Sequence, residues 1–298
     1  MRTENINHVY LDPVVEGKAV DVYYHLGLSS DDPLLDRLRE VRAVILGGSA
    51  DRTRTFANEW SKRNGGAEIV EFPKEDRFVT RYTAGVLFAS HGMGMPSASI
   101  ALQELMKMVF VLKRGDPAAL DRVLWMRVGT SGGVGLPAGT IVVTTEGLMT
   151  DLKPYRALRG GDGEYWFDGT FPADVAHELL DAAASVGVPA MLGKTVAGDD
   201  FYLSQFRLDG AISLETSESK MAWLRWLDEQ GVRNIEMEGA MLAGLLNHWG
   251  FPRFGMICVT IVNRLLGDQV TFTPTELRAL TEREGEVLFA FLRSELSR

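Results

Sequence analysis

Short apolar runs of strand length recur along the chain: RAVILGG (42–48), GVLFAS (85–90), VLWMRVG (123–129), GTIVVTT (139–145), VRNIEME (232–238) and GMICVTIV (255–262). Several are apolar at consecutive rather than alternate positions, as strands covered on both faces are. Between them lie segments with apolar residues at helical spacing. DRTRTFANEWSKRNG (51–65) is one, with Ser49 or Asp51 placed to cap its start. SASIALQELMKMVFVLKRG (97–115) is another, apolar at 98, 101, 102, 105, 108, 109 and 112. PADVAHELLDAAASVG (172–187) and GAMLAGLLNHWG (239–250) complete the set. Alternating strands and helices predict an α/β fold around a mostly covered sheet. DLKPYRALRGGDGEYWFDGTF (151–171), rich in Gly and Asp, reads as an excursion from that sheet, a hairpin. No internal repeat or low-complexity linker interrupts the pattern, so one domain is expected over residues 1–298, with 1–20 as an N-terminal extension.

A chain of 298 residues with 46% apolar content can bury a large core. No apolar run reaches the roughly eighteen residues of a membrane helix, so no span is expected. The opening MRTENINHVYLDPVVEGKAV is too polar for a secretory signal. The single cysteine, Cys258, lies in an apolar run and cannot form an internal disulfide. A cytoplasmic location is the expectation. Net charge is −9, from 31 basic and 40 acidic residues, and no basic block or basic-aromatic stripe appears. That pattern counts against nucleic-acid binding. Arginines beside glycine turns in an acidic chain point instead to a small anion held locally.

Three glycine-rich stretches follow apolar runs: LGGSADR (46–52), SHGMGMPS (90–97) and GTSGGVG (129–135). Read as turns at strand ends, they offer backbone N–H groups to an anion. GVGLPA (133–138) matches a dinucleotide fingerprint in letters, but Pro137 and a further strand follow it where a helix is needed. GMGMPS (92–97) has the right neighbours, yet no acid ends a second strand about twenty residues on. A dehydrogenase is therefore a weak reading. Arg52 lies beside the first stretch and Arg127 just before the third, with Thr130 and Ser131 adding hydroxyls. Arginine forks, hydroxyls and amides together suit phosphate. The plainer readings are a solvated Arg52 and a structural ion pair for Arg127. An arginine inside an apolar strand needs a negative partner of some kind.

NIEMEGAML (234–242) places Glu236 and Glu238 two apart at a strand end, where alternation would turn both to one side. A carboxylate accepts two hydrogen bonds from a vicinal diol, so a ribose would suit them. Equally, both acids would favour the start of the following helix. AGDDFYLSQFRLDG (197–210) brings Phe201, Tyr202, Gln205 and Arg207 together. An aromatic face can stack on a base, and an amide matches the N3–H and carbonyl edge of uracil. Core packing would account for one of the two aromatics.

Taken together, MRVGTSGG, NIEMEGA and HGMGMPS resemble the uridine phosphorylase family, animal-type, from about residue 20 to the end. The resemblance implies a three-layer sandwich in one domain, its central mixed sheet partly closed as a barrel and flanked by helices. It implies phosphate attack on uridine, giving uracil and ribose 1-phosphate, as in pyrimidine salvage. Gly48, Arg52, Arg127 and Thr130 then match the phosphate ligands, and Arg77 the arginine reaching phosphate from a neighbouring subunit. His25 matches the histidine that touches the ribose 5′-hydroxyl across that interface. Met237 and Glu238, with Glu236 beside them, match the ribose site; Phe201, Gln205 and Arg207 match the uracil site. Arg207, Arg127 and Glu238 would carry the catalysis.

Two departures from family patterns bear on this. Hexameric bacterial members hold potassium with a glutamate just after the cross-subunit arginine; here that residue is Phe78. No metal and no cofactor are expected, inorganic phosphate being a co-substrate, and the expected assembly is a homodimer with shared sites. Purine-specific relatives carry an aspartate where VTIVNR (259–264) has Asn263, which favours a pyrimidine. NRLLGDQVTFTP (263–274) resembles the family's mobile flap. The competing functions are a non-catalytic nucleoside-binding protein and a phosphate-independent nucleoside hydrolase.

Overall fold

A computed structural model describes residues 5–160 and 163–298. The chain divides into two compact units. One holds the residues up to Arg127 together with His248–Phe254; the other holds Val128–Asn247 and Gly255–Arg298.

In the first unit the elements run α1 (His8–Val15), β1 (Val22–Tyr23), β2 (Leu28–Ser29), β3 (Ala43–Gly47), α2 (Ala50–Arg63), β4 (Val70–Glu71), β5 (Thr80–Thr83), β6 (Val86–Ser90), α3 (Met95–Leu112) and α4 (Pro117–Asp121). The strand β7 (Leu124–Gly133) begins here beside β3, with Leu124 N donating to Arg42 O at 2.9 Å. β3 and β6 are parallel, and β5 and β4 add to them antiparallel, so this sheet is mixed. Ser49 is the cap that α2 uses, its Oγ accepting from Arg52 N at 3.3 Å. Ile6, Leu11 and Val14 are buried, so the described part of the N-terminal extension is docked; residues 1–4 lie outside the described residues. α3 is the longest helix of this unit. By length and composition it is apolar enough to cross a bilayer, although 61% of it is buried within the protein, as in a core helix.

The second unit carries β8 (Ile141–Met149), β9 (Tyr155–Arg159), β10 (Gly163–Phe167), α5 (Ala173–Ser185), β11 (Ala190–Ala197), α6 (Ser217–Glu229), β12 (Val232–Glu236), α7 (Gly239–Trp249), β13 (Phe254–Asn263) and α8 (Pro274–Leu296). β8, β11 and β12 are parallel, β13 pairs antiparallel with β8, and the end of β7 pairs antiparallel with β12. Arg264 N donates to Gly133 O at 2.8 Å, so these strands close on themselves as a partial barrel. A buried polar chain crosses that barrel: Thr144 to Thr195 at 2.7 Å, Thr195 to Asn234 at 2.7 Å, and Asn234 to Ser131 at 2.9 Å. Each member has at least one partner, which offsets part of the cost of burying it. The excursion is the expected antiparallel hairpin, β9 with β10, although Gly161 and Asp162 of its turn lie outside the described residues.

GTSGGVG is not a turn at a strand end. β7 continues through Gly133, which leaves Arg127 inside the strand rather than at its end. The reason is space. A Cβ on Gly132 would lie 2.9 Å from Arg264 Cγ, and one on Gly133 would lie 3.0 Å from Thr260 Cγ2. These glycines let neighbouring side chains cross the strand, a use of strand glycine that letters alone do not distinguish from a turn.

Candidate active site

Within the first unit, β3 delivers Gly48 to the start of α2, whose first turn bears the half-buried Arg52. A Cβ on Gly48 would come 2.9 Å from Gly92 O, so the first two glycine stretches touch backbone to backbone. His91 N donates to Gly47 O at 2.8 Å and fixes that approach. A helix start with close-packed glycines and an arginine is chemically an anion site. Arg127 is 4% exposed on β7.

His25 and Arg77 form a second group in the same unit. Lys74 Nζ donates to Tyr24 O at 3.2 Å and lies 4.1 Å from the Tyr24 ring centroid. Phe78 is buried with its ring 6.0 Å from that of His25. The segments carrying the two residues are thus bound to each other. Glu75 is clamped between Arg54 and the buried Arg81, which anchors the loop bearing Arg77. Arg77 itself is exposed and has no ion pair among the described residues. His25 Nδ1 lies 2.7 Å from Glu104 Oε1.

In the second unit, β12 ends at Glu236, so Glu236 and Glu238 do not share a face through strand alternation. Glu236 accepts from Glu238 N at 2.9 Å and from Gly239 N at 2.9 and 3.0 Å, placing its carboxylate on the start of α7. That is the helix-start role expected from the dipole. Met237 is half-buried and Glu238 is buried beside it. Thr130 is half-buried on β7. The segment 198–210 is brought to this turn by Gly198 N, which donates to Glu236 O at 2.8 Å. A Cβ on Gly198 would meet the Gln205 side chain at 2.9 Å.

Gln205 is 4% exposed; its Nε2 reaches Asp200 O at 3.3 Å, and its amide oxygen has no protein donor among the described residues. The Arg207 guanidinium lies 4.3 Å from the Phe201 ring centroid. It donates from Nε and Nη2 to Asp209 at 2.9 and 2.6 Å and from Nη2 to Asp268 O at 3.1 Å. Among the described residues no protein acceptor takes the N–H groups of Nη1. Neither Phe201 nor Tyr202 packs in the core, at 42% and 43% exposed. Phe206 does so instead, stacked on Trp223 at 4.6 Å.

Within 263–274 the first half is anchored through two buried side chains, Arg264 and Asp268. Arg264 is 1% exposed, donating from Nε to Asp268 Oδ1 at 2.8 Å and from Nη2 to Gln205 O at 2.7 Å. Lys220 Nζ is 2.7 Å from Asp268 Oδ2. Burial pushes Arg264 below its ordinary range, with Asp268 opposing. Burial alone would raise the Asp268 carboxyl, but hydrogen bonds from Lys220 and Leu208 N and the Arg264 charge hold it below the usual range. Asn263 turns its Oδ1 onto Leu265 N at 3.1 Å, which shapes this bend. Sequence reasoning missed Arg264, Asp268, Lys220 and Glu104. The spacing of opposite charges in RLLGD and the lone acid within ALQELMKMVF were the available signals.

Residues 42–294 match the model of the Phosphorylase superfamily. The chain is 35% identical over 278 residues to uridine phosphorylase A of Schistosoma mansoni, covering 92% of each. It is 32% identical to the inactive uridine phosphorylase B of the same organism, again over 92% of each. A crystal structure of the Schistosoma mansoni uridine phosphorylase in complex with thymidine aligns with a TM-score of 0.87 at 32% identity, over 98% of both chains. Likeness of this extent covers the mixed sheet, the partial barrel and the flanking helices alike. On these grounds the chain belongs to the Phosphorylase superfamily and, within it, to the uridine phosphorylases.

Proposed function

We propose that this chain catalyses the reversible phosphorolysis of uridine to uracil and ribose 1-phosphate. The observation that carries this reading is the buried Gln205 amide with its oxygen unengaged, next to an Arg207 guanidinium that keeps Nη1 without a protein acceptor. Together they match the donor and acceptor edge of a pyrimidine, and Phe201 offers a ring face. Phosphate is already an anionic nucleophile at neutral pH, so no general base is required. Gly48, Arg52, Arg127 and Thr130 would hold it against an oxocarbenium-like ribose bound by Met237 and Glu238. With its carboxylate on the α7 start, Glu236 would support that turn. Arg207 would stabilise negative charge on the departing uracil. Such catalysis rests on positioning and electrostatics.

In this reading the chain works as one domain, a proposal supported by a family match that spans both units. His25 and Arg77 would serve the site of a second copy in a homodimer, as the exposure of an unpaired Arg77 supports. The only co-substrate would be inorganic phosphate, without metal or cofactor, in cytoplasmic pyrimidine salvage. The test is uracil release from uridine with and without phosphate, alongside inosine and thymidine. Strict phosphate dependence with uridine far ahead of inosine is expected. Release that ignores phosphate would select a hydrolase. A second reading, a non-catalytic nucleoside-binding protein, is favoured by the likeness to a relative named inactive. Binding of uridine without turnover would select it.

A further inference from the structure

Glu104 sits in the middle of α3 as the one acid of that helix, with its side chain 11% exposed. A buried carboxylate is costly unless hydrogen bonds or a cation compensate it. Among the described residues its partners all lie in one short segment of the same unit. His25 N donates at 3.0 Å and Leu26 N at 3.1 Å to Oε2, and His25 Nδ1 lies 2.7 Å from Oε1. The nearby cation Lys107 is committed elsewhere, to Asp21 at 2.8 Å. Among the described residues, His25 is the one titratable side chain that meets the Glu104 carboxylate.

A carboxylate only accepts, so a neutral His25 must carry its proton on Nδ1 to satisfy it. The ring is fixed on other sides as well. Tyr24 meets it edge-on at 5.0 Å and Phe78 at 6.0 Å between centroids. What remains for a ligand is Nε2, presented as an acceptor from a ring that is 29% exposed. We infer that Glu104 is a positioning residue, which sets the His25 tautomer and aims Nε2 at the 5′-hydroxyl of the sugar. The backbone bonds to His25 and Leu26 make ring and main chain share one anchor. This rests on the reading that His25 meets that hydroxyl.

Glu104→Gln separates this role from simple support of the loop. The glutamine oxygen can still accept from the two backbone N–H groups, but its amide nitrogen then donates to Nδ1. The proton should move to Nε2, and the acceptor is lost. Nitrogen-15 imidazole spectra, with the His25 signal assigned by its absence in His25→Ala, should show Nδ1–H in the wild type and Nε2–H in Glu104→Gln. In parallel, the kcat/KM ratio of uridine to 5′-deoxyuridine should fall by about tenfold in Glu104→Gln, as for loss of one hydrogen bond. The KM for phosphate should hold. His25→Ala should lower the ratio equally, and the double variant should add nothing further. An unchanged tautomer or an unchanged ratio in Glu104→Gln, with the ratio lost in His25→Ala, would overturn the role of Glu104. A full ratio in His25→Ala would instead remove the assignment of His25, and this inference with it.

Discussion

The proposed role of Gln205 as an amide handle rests on an oxygen that no described residue engages, on a side chain that is otherwise buried. Replacing it with leucine keeps much of the volume and removes both hydrogen-bonding functions. Sites built on buried hydrogen bonds reject a mismatched partner by on the order of 10⁴-fold. Gln205→Leu should therefore collapse kcat/KM for uridine while the phosphate KM stays near wild type; full activity would overturn the base assignment. Gly48 argues at the same scale but through space. Alanine there would put its Cβ 2.9 Å from Gly92 O, a main-chain atom that no rotamer change can move. Overpacking of this kind costs about 1–3 kcal/mol. Gly48→Ala should lower the thermal midpoint and raise the phosphate KM together. Arg127→Ala should raise the phosphate KM alone, each charge-assisted bond lost being worth about 1.5–3 kcal/mol.

The ion cluster from α6 to the bend after β13 is an element-scale device. Lys220 and Arg264 converge on Asp268, and Arg264 passes the constraint to the Gln205 carbonyl. Removing one member of a buried pair typically costs about 3–5 kcal/mol, because the other charge is stranded. Asp268→Asn should destabilise the protein on that scale near neutral pH and blunt uridine binding through the displaced 205–207 segment. The sign with pH follows from the lowered Asp268 carboxyl. It binds its proton less readily folded than unfolded, so its stabilisation is complete above the unfolded value of about 3.9. That stabilisation is lost as pH falls through the lower folded value. In thermal unfolding from about pH 6 to about pH 3, the gap between wild type and Asp268→Asn should shrink with acid. A gap that widens would contradict the assignment.

For the whole molecule, the exposed Arg77 and the part-exposed His25 belong to one platform, bound together through Lys74, Tyr24 and Phe78. Arg77→Ala removes no ion pair within the described chain, so its thermal midpoint should match wild type within about 0.5 kcal/mol of stability. Its phosphate affinity should nonetheless fall if a second copy receives the arginine. Mixed dimers of Arg77→Ala with Arg127→Ala chains, each weak at low phosphate when alone, should regain part of the lost activity there at the one site that is complete. Verified mixed dimers without recovery would argue that each site is built from one chain.

The strands at 42–48, 85–90 and 255–262 and the helices at 51–65 and 97–115 were legible because burial on a regular element leaves a local period. Local too were the chemistry of FYLSQFR and the motif order behind the family resemblance. β11 was missed because AMLGKTVA mixes polar and small residues, and only its position between β8 and β12 makes it central. The GTSGG stretch reads as a turn in letters, while Arg264 and Thr260, far along the chain, require its glycines within a strand. Glu236 followed the same logic: its spacing from Glu238 suggested a shared face, and the helix start took its carboxylate. Sequence thus determined which chemical groups and which regular segments are available, since both are properties of neighbours along the chain. Tertiary structure alone decided which groups are consumed by the protein and which stay open to a ligand. A hydrogen bond or a steric contact depends on distance in space, and no local pattern encodes it.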